Sequence, residues 1–262
     1  MAGFMDLDRW LWAVTFILDA GLIFLLLVRR NHRAFPFFFA YMLLNLIQGV
    51  ALIAIYRFWG FSSSLAMKVG WGSQGLVTAG RALAVAEICH RILAEFRGIW
   101  RLAWRLLVAA TTLVALYAGA VSQGKWQFAI LNLDRGLELA MATALVFLFL
   151  FAVYYEVPVE STLRTLSIGF FLFSSFRVLN DTILERWLRQ YATVWSLLGS
   201  LAFIVSLALW NWALRQAQPK KTFKPELLPQ GSYRELVPEM NERLKKLNEQ
   251  LSYLWRPEGK NI

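Results

Sequence analysis

LNLDRGLEL, residues 131–139, lies inside an apolar run from Trp126 to Tyr154. It places Asp134, Arg135 and Glu138 within one stretch that is otherwise long and greasy enough to sit in hydrocarbon. The run around these charges sets the fold class. Twenty or so consecutive apolar residues are what an α-helix needs to cross a bilayer core of about 30 Å.

The rest of the chain repeats that pattern. Of 262 residues 58% are hydrophobic and only 17% charged, with a mean hydropathy of +0.49. Soluble domains carry more charge and fewer apolar residues. The apolar residues fall into seven runs, at 9–28, 35–57, 71–94, 102–121, 127–153, 163–187 and 191–214. Each is expected to be a helix, because backbone in lipid must satisfy its own hydrogen bonds. The expected fold is therefore all-α: a seven-transmembrane-helix bundle over 1–215, followed by a tail over 216–262. Trp10, Trp12, Trp126, Tyr154, Tyr155, Trp187 and Trp212 stand where an interfacial aromatic belt belongs, and Pro36 suits the first turn of the second helix.

Basic residues set the direction. One set of connections holds Arg29, Arg30, Arg33, Arg91, Arg97, Arg101, Arg105, Arg164 and the tail from Arg215. The other holds Arg9, Arg57, Lys68, Lys125, Arg186 and Arg189. The richer set belongs in the cytoplasm, so the N-terminus is expected outside and the C-terminus inside a cell membrane. The opening MAGFMDLDRW (1–10) carries Asp6 and Asp8 where a signal peptide needs basic residues, so the first run is expected to remain as a span. The net charge of +10 follows the same positive-inside logic, and a nucleic-acid partner is not expected. RILAEFRGIWRLAWR (91–105) reads as a positive-inside loop with the alternative of an amphipathic inner-leaflet segment.

In the tail, Val237, Met240, Leu244, Leu247, Leu251 and Leu254 alternate steps of three and four, which predicts an amphipathic helix over about 236–255. Its partner is open: its own loops, the membrane surface, a second copy or another protein. A fainter pattern is internal. Trp71-x-x-x-Gly75 matches Trp195-x-x-x-Gly199, and FFFAYMLLN (37–45) loosely echoes FFLFSSFRVLN (170–180). A 3+1+3 arrangement of parallel repeats would produce such echoes, as would chance in a chain this rich in Phe, Leu and Trp.

Ionisable groups inside the spans, with a few amides beside them, are the functional clue. Asp19 interrupts the first, Asn45 and Gln48 the second, Arg81 and Glu87 the third, Asp134, Arg135 and Glu138 the fifth, and Arg177, Asn180 and Asp181 the sixth. Eight charges facing lipid would cost roughly 20 kcal/mol at about 2.5 kcal/mol each. They are therefore expected to face one another or a hydrated cavity in the outer half of the bundle, with Glu87 somewhat nearer the cytoplasm. Three arginines against five acids leave this slab at net −2. Such a site suits protons or a small polar ligand, with a purely structural salt-bridge network as the alternative.

The sequence names no cofactor. His32 and His90 with the single Cys89 are too few for a zinc site, no second copy accompanies Glu87-x-x-His90, and the last run has no Lys for a retinal Schiff base. No nucleophile–base pair gives a reaction class. The expected function is a non-enzymatic membrane protein, sensor-like or an accessory subunit. The alternatives are a proton-coupled small-molecule transporter and a structural subunit of a larger membrane complex.

Overall fold

The computed structural model describes residues 2–60, 63–122, 124–186, 192–216 and 237–254, with side chains described over somewhat narrower limits. Its elements are α1 (Ala2–Val28), α2 (Asn31–Ala34), α3 (Pro36–Trp59), α4 (Ser64–Ile92), α5 (Arg97–Val121), α6 (Trp126–Tyr154), α7 (Ser161–Arg186), α8 (Ala192–Gln216) and α9 (Val237–Leu254). Among the described residues there is no strand.

Six of these helices are long and apolar enough to cross a membrane: Trp10–Val28, Pro36–Trp59, Arg97–Val121, Trp126–Tyr154, Ser161–Asn180 and Leu197–Arg215. α4, expected as a seventh, falls outside that set. It carries Lys68, Arg81, Glu87, His90 and Arg91, and its role in the packing explains why it can. It packs against α3, α6 and α7, and its buried face includes Val77, Ala84, Val85, Ile88 and Ile92. A helix walled in by protein need not be greasy all round. The outward faces of its neighbours are apolar, as lipid requires: Leu113 and Leu116 on α5 are each 70% exposed, and Val153 on α6 is 77%.

The packing order runs α1, α3, α4, α6, α7, α8 and back to α1, with α5 outside against α6. Neighbours along the chain run antiparallel. Tyr41 lies against Gly80 across α3 and α4, and Phe173 against Phe203 across α7 and α8. The centre is aromatic. Trp210, Tyr41, Phe38 and Phe170 are fully buried, with Phe170 4.6 Å and Phe38 5.5 Å from Trp210 between ring centroids. Trp210 fits because residue 169 is glycine; a Cβ there would stand 2.4 Å from its indole nitrogen, which donates to the Leu166 carbonyl at 3.2 Å.

Several local expectations change. α4 begins at Ser64, whose preceding Ser63 caps it by accepting from the Ala66 N–H at 3.1 Å, so the helix starts seven residues before the apolar run at 71. The basic segment after Arg91 is mostly helix, since α5 starts at Arg97 and only a short turn precedes it. The tail helix packs on α5 of its own chain. Asn248 accepts from the Gly98 N–H at 2.8 Å, and a Cβ on Gly98 would meet the Asn248 backbone oxygen at the same distance. Within α6, Gly136 admits Val114 of α5, whose methyl lies 2.4 Å from where a Cβ would be.

Candidate functional site

Gln74, Thr78 and Arg81 follow one another at steps of four and three, so they form one polar stripe along α4. Asp134 and Glu138 do the same on α6. The two helices run parallel here, and the stripes face each other in register. Thr78 donates its hydroxyl to Asp134, Gln74 donates its amide to Asp134 at 3.4 Å, and Arg81 pairs with Glu138. From α7, Arg177 pairs with Asp134 and reaches Glu138 at 4.0 Å. A second layer extends the network to α3, where Gln48 donates to the Ser73 hydroxyl at 3.1 Å and to the Gln74 carbonyl oxygen at 3.5 Å.

Burial grades across this cluster. Glu138 is fully buried, Arg81 and Asp134 are 3% exposed, and the Arg177 side chain is 28% exposed. The Arg81 guanidinium lies over the rings of Phe173 at 4.6 Å and Tyr41 at 5.5 Å, so aromatic faces complete the charge compensation on its apolar side. Ser174 is fully buried and its hydroxyl has no hydrogen-bond partner among the described residues.

The sequence candidates divide into groups. Arg81, Asp134, Glu138 and Arg177 come together as two arginines against two acids, which sum to zero charge. Arg135 is part-buried beside them on α6, and Asn180 lies one turn along α7 from Arg177 with its amide oxygen unbonded among the described residues. The Asp181 side chain lies outside the described residues. Asp19 and Asn45 form a separate pair between α1 and α3, in which Asn45 donates to the Asp19 carboxylate.

Glu87 stands apart from all of these. It accepts from the Phe37 and Phe38 backbone N–H groups at 3.1 and 3.0 Å, and Arg91 lies 3.7 Å away. It thereby caps the N-terminus of α3, where Pro36 occupies the first turn and helix N–H groups lack partners. This removes Glu87 from the charge balance of the slab and is one reason the summed deficit does not appear in the cluster. At the same end of the bundle, Arg29 donates to the Leu214 and Arg215 carbonyls that close α8.

Gln74, Thr78, Tyr41 and Phe173 were not among the sequence candidates. The i, i+4, i+7 spacing of Gln74, Thr78 and Arg81 was a legible signal for the first two. Nothing in the sequence singled out the two rings, because aromatic residues are everywhere in this chain.

No protein-family model matches the chain, and comparison with curated proteins and solved structures likewise found no match.

Proposed function

We propose that the chain is a non-enzymatic integral membrane protein, sensor-like or an accessory subunit, whose acid–guanidinium cluster between α4, α6 and α7 binds a small polar ligand or protons. In this reading residues 1–215 form a seven-helix domain, with α4 as the seventh span, and 216–262 a cytoplasmic tail. The 29 residues of α4 reach about 43 Å at 1.5 Å per residue, enough for the bilayer core. The docking of α9 on the start of α5, and of Arg29 on the end of α8, keeps the basic connections at one end, in line with a cytoplasmic C-terminus.

The observation that carries the reading is Arg177. It is part-exposed, yet shared between two carboxylates of which one is fully buried. A guanidinium shared in this way at the accessible edge of a buried network is where an incoming polar group can compete, and an intramembrane charge cluster is a functional candidate by its cost alone. Reconstituted protein bearing Arg177→Lys, which keeps the charge but not the planar fork shared by the two carboxylates, should stay folded and lose any proton- or ligand-linked change in tryptophan fluorescence. Failure of that variant to fold would reduce the cluster to a structural role.

A proton-coupled transporter is the second reading. It is favoured by the packing order, in which α1, α3 and α4 form one set of neighbours and α6, α7 and α8 another, with the cluster between them. Solute uptake into proteoliposomes driven by a pH gradient would select it.

A further inference from the structure

Leu18-Asp19-Ala20-Gly21-Leu22 of α1 recurs as Leu133-Asp134-Arg135-Gly136-Leu137 in α6. The two stretches occupy the same place in their hairpins. Asp19 takes a hydrogen bond from Asn45 on the next long helix, α3; Asp134 is paired with Arg177 on α7. Laying Asn45 on Arg177 lays Phe38 on Phe170, Phe39 on Phe171 and Tyr41 on Phe173 at the same interval.

Helix neighbours obey the same correspondence. α1 packs on α3 and α3 on α4; α6 packs on α7 and α7 on α8; and the two sets close on each other reciprocally, α4 on α6 and α8 on α1. A two-fold axis along the bundle generates this pattern. Phe38 and Phe170, which correspond, touch with ring centroids 5.7 Å apart, as corresponding residues beside an axis must. Tyr41 and Phe173, which also correspond, both lie against the Arg81 guanidinium. α5 has no counterpart, and accordingly the space beside Gly21 is open where Gly136 has Val114.

The two halves part company at their acids. Asp134 has a guanidinium, a hydroxyl and an amide. Asp19 is 3% exposed and, among the described residues, receives one bond, from the Asn45 amide, while its Oδ1 receives none. Among the described residues, the elements packed on α1 bring no free cation to Asp19: α2, with His32 and Arg33, begins twelve residues further along the chain, past the end of α1. α3 offers Asn45 and the buried Tyr41, and its only charged residue, Arg57, is in its last turn at the far end. α8 has no charged residue from Ala192 to Leu214, and the Asn211 amide is spent on the Leu18 and Leu207 carbonyls. Arg81, whose guanidinium lies over the Tyr41 ring, is held by Glu138, and Arg177 by Asp134.

A carboxylate so buried carries a desolvation cost that a single amide bond offsets only in part. Among the described residues Asp19 belongs to no group of three or more His, Cys, Asp or Glu side chains that could hold a metal ion. We propose that the Asp19–Asn45 pocket is a proton-binding site, the structural counterpart of the Asp134–Arg177 pair, in which a proton stands where the other half has a guanidinium. Binding and release of that proton switch the charge of the α1–α3 pair while the arginine-held half keeps its own. The inference does not rest on the α4–α6–α7 cluster binding anything.

Infrared difference spectroscopy of the full chain in liposomes, titrated from acid to alkaline pH, tests it. The expected result is a protonated-carboxyl C=O band that shifts in D2O, bleaches at alkaline pH and is lost completely in Asp19→Asn. Asn45→Arg, which supplies a guanidinium at the corresponding position, should remove the band with Asp19 still present; this arm decides the matter if Asp19→Asn does not fold. A band that survives in these variants, or no such band in the unaltered chain, overturns the proposal. So does bleaching of the band when sodium chloride replaces choline chloride at fixed pH, which would identify a metal cation as the occupant.

Discussion

Arg81 on α4 and Glu138 on α6 form an ion pair shut off from solvent, with side chains 4% and 0% exposed. Such a pair owes its stability to both members being present, because either one alone is a buried, uncompensated charge.

Arg81→Met should therefore destabilise the bundle by about 3–5 kcal/mol. Adding Glu138→Met should recover much of that loss, since no unpaired charge remains. Chemical denaturation in micelles, followed by tryptophan fluorescence, measures both. A double variant no better than the single would mean that Glu138 is neutral or otherwise compensated.

Gly136 and Gly21 occupy corresponding positions but have different surroundings. Gly136→Ala drives a methyl into Val114 and should cost about 1–3 kcal/mol. Gly21→Ala meets nothing within 4 Å and should be neutral or stabilise by up to about 1 kcal/mol through helix propensity. Thermal melting of the two variants separates them; equal losses would contradict the packing of α5 on α6.

The tail helix is held on α5 through the Asn248 side chain and the Gly98 N–H. Asn248→Ala should weaken that docking by about 1 kcal/mol, the usual worth of such a bond. Amide hydrogen exchange should then rise across α9 and stay unchanged in α4 and α6. Unaltered protection in α9 would show that the apolar contacts alone hold it.

Orientation is open to direct labelling. Lys68 at the start of α4 and Arg97 at the start of α5 are both exposed. In a Cys89→Ser background, Lys68→Cys in intact cells should react with a membrane-impermeant maleimide and Arg97→Cys should not. After the membrane is opened both should react. Labelling of both positions from one side would remove α4 from the spans.

Composition and run length alone determined that this chain is a set of long apolar helices, because a bilayer imposes its thickness on any segment that crosses it. Heptad spacing likewise pointed to a tail helix, which the described residues show over Val237–Leu254. The charged positions were visible too, since a charge in an apolar run has no local excuse. Their partners were not. Glu87 and Glu138 look alike in sequence, each an acid in a greasy helix, yet one caps the first turn of α3 and the other is locked to a guanidinium. Which of these happens depends on how parallel and antiparallel helices slide past one another, and that is set by contacts such as Gly80 on Tyr41 and Gly169 on Trp210 between residues remote in the chain. Only the tertiary structure decides that register, and with it which carboxylates gain an arginine and which, like Asp19 among the described residues, do not.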